Sequence, residues 1–278
     1  MNSPNAAPKG QAPPQDKDEE VKASLSRIKQ KLVIMSGKGG VGKTSTAVNL
    51  AIALARLGHK VGLMDVDLHG PDVPRVLGLS GMLGVSANQK LEPLQFNDHL
   101  KVVSIESLTA SKDDAIIWRG PIKYSAIRQF IADVDWGDLD FLLIDSPPGT
   151  GDEPLTVAQT IPDAKALIVT TPQEISLADV RKSISFCRTL KMDIFGLVEN
   201  MSGFVCPHCG EKVDIFGSGG GERTARAAQI DFLGSIPIDP NVVVCGDAGQ
   251  SYQEAYPESV VTQACQTIAG RISDLIRS

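Results

Sequence analysis

The sequence lacks the features that mark a membrane protein, an exported protein or a nucleic-acid-binding protein. No apolar run approaches the ~18 residues that a membrane span needs. Residues 1–20 contain no apolar core of a signal peptide, so export is not expected. The net charge of −6 argues against nucleic acid as the main partner, because proteins that bind phosphate backbones usually have a basic face. We therefore expect a cytoplasmic protein whose partners include neither nucleic acid nor a membrane.

Cysteine is also scarce, because the 278 residues contain only five, an odd number. In a chain without an export signal, a closely spaced cysteine pair indicates metal or redox chemistry more often than a structural disulfide. Cys206 and Cys209, in the stretch CPHCG, form such a pair. They are half of a metal site, and the other half has to come from elsewhere.

The order of apolar and amphipathic segments predicts an α/β fold with a doubly wound, mostly parallel sheet. Residues 1–20 are rich in Pro, Ala and Asn, and we expect them to form a disordered tail. Residues 21–278 are predicted to form one domain, because no linker or internal repeat interrupts them. Near-continuous apolar strands separated by helices are typical of a parallel sheet covered on both faces. The predicted strands are 31–36, 60–65, 100–106, 140–145, 164–171, 194–200 and 232–238, and the predicted helices are 19–30, 44–58, 121–134, 177–190 and 259–277.

A glycine-rich stretch, SGKGGVGKTS, follows the first long strand and opens the first long helix. It matches the pattern G-x-x-x-x-G-K-[ST], in which backbone N–H groups and a helix N-terminus surround phosphate oxygens. We expect Lys43 to reach the β- and γ-phosphates and the Thr44 hydroxyl to ligate Mg²⁺. The predicted nucleotide-binding residues of this loop are Gly37, Lys38, Gly39, Gly40, Val41, Gly42, Lys43, Thr44 and Ser45.

Three aspartates at strand ends are candidates for the magnesium and water sites. Asp145 ends an apolar strand, as the acidic residue that holds the Mg²⁺ shell in phosphate-loop proteins does. Asp65 and Asp67 are two positions apart, so they face the same side if the strand persists. One could order Mg²⁺ waters and the other the attacking water, whereas helix capping or turn formation is the structural alternative.

The loop GKGGVGKT resembles the deviant phosphate loop of the MinD/ParA/nitrogenase iron protein superfamily. More narrowly, the motifs DVDLHGPDVP, WRGP, LIDSPPGTGD, VENMSGFVCPHCGE and FGSGGGE resemble the Mrp/ApbC family of iron–sulfur carrier ATPases, from about residue 31 to the C-terminus. The resemblance implies a dimer around two nucleotides, in which Lys38 contacts the phosphates bound by its partner. It also implies that Asp67 positions water and that Asn200 contacts adenine, although Asn200 could simply cap its strand. No NKxD motif is present, which favours ATP over GTP.

The chain also departs from some members of that family, which carry an additional N-terminal module. Its first cysteine is Cys187, so we expect no N-terminal cluster of four cysteines. The short tail leaves no room for a small α/β module either.

The cysteine loop, residues 201–219, is the predicted metal-binding loop. Zinc and [4Fe–4S] clusters usually take four thiolates, but Cys187 and Cys265 have the spacing of packing residues and Cys245 is ambiguous. A thioredoxin-like redox pair would need a helix that opens at Cys206, and none is predicted. A second chain related by a two-fold axis would supply two more sulfurs, and the resemblance implies the same arrangement.

These observations lead to a slow, regulatory ATPase that carries an iron–sulfur cluster and transfers it to apo-proteins. The cofactors implied are ATP, Mg²⁺ and a cluster that we expect to be [4Fe–4S], with [2Fe–2S] and zinc left open. The partners implied are a second copy or a related ATPase, together with apo iron–sulfur proteins. A MinD/ParA-like dimeric organiser and an ATPase with a structural zinc knuckle are the alternatives. No role is assigned to the motif Trp118, Arg119, Gly120 and Pro121.

Overall fold

A computed structural model describes residues 14–67, 70–108, 120–206 and 208–277. Its strands are β1 (Ile28–Ser36), β2 (Val61–Asp65), β3 (Gly84–Val85), β4 (Leu91–Glu92), β5 (Leu94–Asn97), β6 (Leu100–Ser104), β7 (Leu139–Asp145), β8 (Lys165–Thr170), β9 (Ile194–Val205), β10 (Lys212–Val213) and β11 (Phe232–Ile238). Its α-helices are α1 (Pro14–Ser26), α2 (Lys43–Arg56), α3 (Val73–Val76), α4 (Gly120–Asp133), α5 (Asp152–Thr160), α6 (Glu174–Thr189), α7 (Gly220–Ala228), α8 (Pro240–Asp247), α9 (Tyr252–Ala255) and α10 (Val260–Arg277).

The strands form a nine-stranded sheet in the order β10-β9-β8-β1-β7-β2-β6-β5, with β11 paired to β9. The pairs among β1, β2, β6, β7, β8, β9 and β11 are parallel, whereas β5 and β10 add antiparallel edges. A parallel sheet has its strand carboxyl ends along one edge, so the loops that follow β1, β2, β7 and β9 meet there. The predicted doubly wound, mostly parallel sheet is therefore confirmed.

Helices cover both faces of the sheet and divide the core into two apolar layers. The layer beneath α1, α4, α5, α6 and α7 includes Phe130, Trp136 and Leu197, and the layer beneath α2, α3, α8, α9 and α10 includes Leu50 and Val198. Both layers are needed because strands such as β2 are buried at every residue. None of the described helices is both long and apolar enough to cross a bilayer.

The first helix differs from its predicted bounds at both ends. It begins at Pro14, so residues 14–20 are helical rather than part of a disordered tail. It ends at Ser26, and Ile28 already pairs with Leu139 as the first residue of β1. The helical spacing of Val21, Leu25 and Ile28 was misleading, because Ile28 is buried through strand pairing.

Five short helices, α3, α5, α7, α8 and α9, were not predicted, although α8 carries a recognisable start. Pro240 is its first residue, and the Asp239 carboxylate accepts a hydrogen bond of 2.8 Å from the Asn241 backbone N–H. An aspartate cap followed by proline is a helix-start signal. In the unassigned WRGP motif, Trp118 and Arg119 lie outside the described residues, and Gly120 and Pro121 open α4.

Candidate functional site

The glycine-rich loop connects the end of β1 to the start of α2. Gly40 and Gly42 have φ values of 78° and 76°, a left-handed region that favours glycine. A Cβ on Gly42 would lie 2.2 Å from the Asn200 amide nitrogen, and one on Gly37 would lie 2.4 Å from the Asp179 backbone. The glycines therefore set both the curvature of the loop and its close packing. The loop leads into the N-terminus of a 14-residue helix, a favourable site for phosphate.

Lys43 and Thr44 both contact the carboxylate of Asp145 in this structure. The Lys43 ammonium donates to one oxygen at 2.6 Å, and the Thr44 hydroxyl donates to the other at 2.7 Å. The Lys43 and Asp145 side chains are buried, so this ion pair lies largely out of water. The three predicted side chains are thus brought together, and the ammonium lies on a carboxylate at the base of the loop.

Asp65 lies beside Asp145, because the two residues are partners in the parallel register of β2 and β7. Its carboxylate is fully buried and accepts hydrogen bonds from the backbone N–H of Asp67 and of Val73 and from the Ser104 hydroxyl, at 3.1, 3.3 and 3.2 Å. Burial, and then the negative charge of Asp145, raise the pKa of Asp65 well above its usual value. Burial also raises the pKa of Asp145, against the opposing effect of Lys43. Two buried carboxylates with a threonine hydroxyl are a donor set that fits Mg²⁺.

Asp67 and Lys38 lie at the rim of this group of side chains. One Asp67 carboxylate oxygen accepts a hydrogen bond of 3.3 Å from the Gly70 backbone N–H, so the residue takes part in a turn. Its negative charge also contributes to the raised pKa of Asp145, so the two carboxylates lie near each other. The Ser36 hydroxyl donates to the Lys38 carbonyl at 3.0 Å and fixes the backbone there. Within the described residues, the half-buried Lys38 side chain forms no ion pair.

An apolar cavity of about 280 Å³ adjoins the glycine-rich loop on the α2 side of the sheet. Asn200 lies in its wall, and its amide nitrogen donates to the Val41 carbonyl at 2.9 Å. The predicted adenine residue therefore borders a cavity of suitable character, and it also braces the loop. Gly42 and Ser45 of the predicted loop also line the cavity, whereas the apolar wall residues Met201, Phe216, Ile236, Val242 and Val243 were not predicted.

Glu199 was also not predicted from the sequence. Its side chain is fully buried, and its carboxylate accepts hydrogen bonds from the Ser202 hydroxyl at 2.6 Å, from the Gly219 N–H at 2.8 Å and from the Gly221 N–H. Ser202 and Gly219 stand at the start and the end of the cysteine loop. One carboxylate thus fastens both ends of the loop that carries Cys206 and Cys209.

The cysteine loop leaves the sheet as an extension of β9, which pairs with β10 for two residues. The Cys206 backbone N–H donates to the Glu211 carbonyl and the Gly210 N–H donates to the Cys206 carbonyl, both at 2.9 Å. Cys206 is half-buried and Cys209 is exposed. Hydrogen bonds from the backbone N–H of Cys209 and of His208 lower the pKa of Cys206, so its metal-binding thiolate is favoured.

The other three cysteines are buried within the two apolar layers. Burial raises the pKa of Cys187 to about 11 and that of Cys265 to about 12, so both are neutral thiols near pH 7. Cys245, whose position was ambiguous, is buried in the layer beneath α8. Across the part of the chain that the structure describes, no three His, Cys, Asp or Glu side chains form a group that could hold a metal.

A phosphate loop that opens α2 beside a buried acidic strand end defines the class, a P-loop nucleotide-binding protein. The chain belongs to the family described as NUBPL iron-transfer P-loop NTPases, whose model matches residues 27–273. The predicted family and fold class are thereby confirmed.

Three relatives illustrate this membership. An iron–sulfur cluster carrier protein of Methanocaldococcus jannaschii is 50% identical over 84% of this chain and 80% of its own length. A cytosolic Fe–S cluster assembly factor, the NUBP2 homolog of Dictyostelium discoideum, is 47% identical over 84% of this chain and 91% of its own. The structure of a nucleotide-binding protein from Archaeoglobus fulgidus in complex with ADP superposes with a TM-score of 0.74 at 42% identity, covering 84% of this chain and 91% of that one.

The Glu199 carboxylate should be a strong contributor to folding stability. Glu199→Gln replaces one acceptor oxygen by an NH₂ group that faces N–H donors, so we expect a loss of about 1–3 kcal/mol in the free energy of unfolding. Glu222→Gln is the matched control, because Glu222 is exposed and forms a surface ion pair with Arg226 four residues along α7. That control should change stability by less than about 0.5 kcal/mol. Equal denaturation midpoints for the two variants would show that Glu199 does not anchor the loop.

Proposed function

We propose that this protein is an ATP-dependent iron–sulfur cluster carrier, in which Cys206 and Cys209 of two subunits hold a [4Fe–4S] cluster destined for apo-proteins. The observation that carries the proposal is the course of β9. Asn200 borders the phosphate loop and its cavity, and the two accessible thiols, Cys206 and Cys209, follow six and nine residues further along. Nucleotide and cluster would therefore occupy two ends of one structural element.

The nucleotide half of the proposal uses the groups around Asp145. Binding of a phosphate would draw the Lys43 ammonium from the carboxylate to the phosphate oxygens, and backbone N–H groups of residues 37–42 would surround them. Thr44 and Asp145 would hold Mg²⁺, with Asp65 behind them. When bound, Mg²⁺ supplies positive charge between the phosphates. That charge offsets the burial cost of Asp65 and Asp145, whose raised pKa values mark a site suited to a cation.

The apolar cavity would accept the base, with Asn200 at its edge. A cavity lined mostly by apolar side chains and a few fixed polar groups is the usual form of a small-molecule site. We propose ATP as the nucleotide, and Asp67 as the residue that positions the attacking water. The slow, regulatory character of hydrolysis follows from the proposed role as a switch between cluster-loaded and cluster-releasing states.

The cluster is the cargo of the protein, and its ligands have to be accessible to the acceptor. Cys206 and Cys209 meet this requirement, since one is half-buried and the other is exposed. Four thiolates are needed for a cubane, so two loops from two chains would hold one cluster. A homodimer is the simplest arrangement, and a heterodimer with a related ATPase would use the same geometry. Lys38 would reach the nucleotide of the partner subunit, so ATP would draw the subunits together.

A structural zinc knuckle is the second candidate function of the cysteine loop, because a CxxC turn suits zinc as well as iron. The two candidates differ in whether the bound metal leaves the protein and in whether the protein absorbs visible light. A carrier's metal is transferred to an acceptor, whereas a structural zinc ion stays bound.

We place the carrier in the cytosol, as the name of the Dictyostelium relative states for that protein.

The role of Asp67 predicts a separation of nucleotide binding from turnover. Asp67→Ala should keep the affinity for Mg·ATP but lower kcat by roughly a hundredfold, because water positioning matters mainly in the transition state. Calorimetric titration and a phosphate-release assay measure the two quantities. Asp138→Ala is the control, since Asp138 is an exposed carboxylate at the opposite end of β7, paired with Arg27. Parental turnover in Asp67→Ala would refute the assigned role.

The cysteine assignment predicts which thiols are required for cluster binding. After anaerobic reconstitution, Cys206→Ser and Cys209→Ser should lose the visible absorbance, the iron and the sulfide of the cluster. Cys187→Ala and Cys265→Ala should retain all three, because those thiols are buried away from the loop. Retention of the cluster in Cys206→Ser, or stoichiometric zinc that iron does not displace, would favour the structural knuckle instead.

A further inference from the structure

The walls of the apolar cavity come from two separate parts of the chain. Ile236, Val242 and Val243 come from β11 and α8, whereas Met201 and Phe216 come from the cysteine loop. We propose that Phe216 is a positioning residue that links the nucleotide base to the cysteines: a purine in the cavity restrains Phe216, and Phe216 restrains the loop that carries Cys206 and Cys209. The inference rests on the proposed function, and it names the part of the nucleotide that regulates the thiols.

Side chains alternate along β9, so successive residues face opposite sides of the sheet. Val198 and Asn200 face the α2 layer, where the cavity lies, and Leu197 and Glu199 face the α7 layer. Glu199 therefore fixes the ends of the cysteine loop from one face, while Asn200 braces the phosphate loop on the other. The interior of the loop is left to be positioned by other contacts.

Met201 interrupts this alternation just where the cysteine loop begins. Its φ of 56° is left-handed, a conformation that non-glycine residues rarely adopt. As a consequence Met201 and its neighbour Asn200 both line the cavity. The Met201 methyl group lies 3.3 Å from the position that a Cβ on Gly42 would occupy, so the start of the cysteine loop touches the phosphate loop.

Phe216, near the C-terminal end of the cysteine loop, is the second residue of that loop that lines the cavity. It follows β10, in a turn held by the Gly217 N–H on the Asp214 carbonyl at 3.2 Å and the Ser218 hydroxyl on the Asp214 carboxylate at 3.0 Å. The residue is 38% exposed, although it lines the cavity. An aromatic ring at the mouth of such a cavity gains contact area when a flat base enters, which lowers the free energy of the conformation seen here.

The proposal separates the effects of the base from those of the phosphates. ADP places a purine in the cavity, whereas pyrophosphate occupies the loop and leaves the cavity walls without a base. Only ADP should therefore hold Phe216 and slow the opening of the cysteine loop. The use of ADP also avoids any closure of two subunits that a γ-phosphate would cause.

The test measures the alkylation rates of Cys206 and Cys209 by iodoacetamide in the reduced, metal-free full-length protein, with peptides quantified by mass spectrometry. Saturating Mg·ADP should slow the alkylation of half-buried Cys206 about fivefold, the lower end of usual coupling between sites, and Mg·pyrophosphate should leave it unchanged. Exposed Cys209 is the internal reference, and its rate should not change. Phe216→Ala should abolish the protection at saturating ADP, whereas Phe216→Tyr, which keeps the ring, should retain it.

Two controls distinguish the link from a general loss of order. Ile215→Ala alters an exposed apolar residue of the same loop that does not line the cavity, and protection should persist. Val243→Ala shortens the cavity wall on α8, so ADP should bind more weakly but still protect once it is saturating. Protection that persists in Phe216→Ala, or that pyrophosphate reproduces, would overturn the inference.

The experiment also separates this inference from the proposed function. Alkylation requires no iron, so a failure to assemble a cluster would leave the Phe216 result intact. ADP binding measured by calorimetry without any change in alkylation would refute the Phe216 link alone. Absence of ADP binding would overturn both the link and the nucleotide half of the proposed function.

Discussion

The structure depends on two neighbouring residues in the middle of β9. Two consecutive side chains, Glu199 and Asn200, project from opposite faces of this strand and are tied to different loops. Asn200 holds the phosphate loop through the Val41 carbonyl, and Glu199 holds both ends of the cysteine loop. Because the strand is part of the sheet, neither loop can move at its root without disturbing hydrogen bonds to one of these two adjacent side chains. This shared root gives a nucleotide-dependent carrier its physical basis.

The sequence predicted those parts of the site whose chemistry is local in the chain. The phosphate loop, Asp145 and the thiol pair each form a contiguous pattern, and the register of β2 and β7 then brings Asp65 beside Asp145. Glu199 could not be found in this way, since its partner Gly219 is twenty residues further along the chain and meets it only when the cysteine loop closes. The apolar residues of the cavity wall were not predicted for the same reason, because they come from separate parts of the chain. The bounds of α1 were wrong because Ile28 fits a helical spacing equally well, and pairing with Leu139 decides the outcome.

Burial separates the thiols into two kinds. Cys187, Cys245 and Cys265 pack in the apolar layers, where burial raises each pKa and keeps the sulfur neutral. Cys206 has the reverse environment, because backbone N–H groups face its sulfur and lower its pKa. In the proposed carrier, each chain contributes Cys206 and Cys209 as two of the cluster's sulfur ligands. The account predicts that the complete site forms only when two such loops meet.

The most direct test of this central claim is native mass spectrometry of the protein purified and reconstituted without oxygen, combined with iron and sulfide analysis. The account predicts a species of two chains that carries one cluster, with about four iron and four sulfide per two chains. Removal of the cluster should leave each chain's fold intact and lower the proportion of that species. A monomer that retains a full cluster, or a chain that holds one zinc ion and no sulfide, would contradict the account.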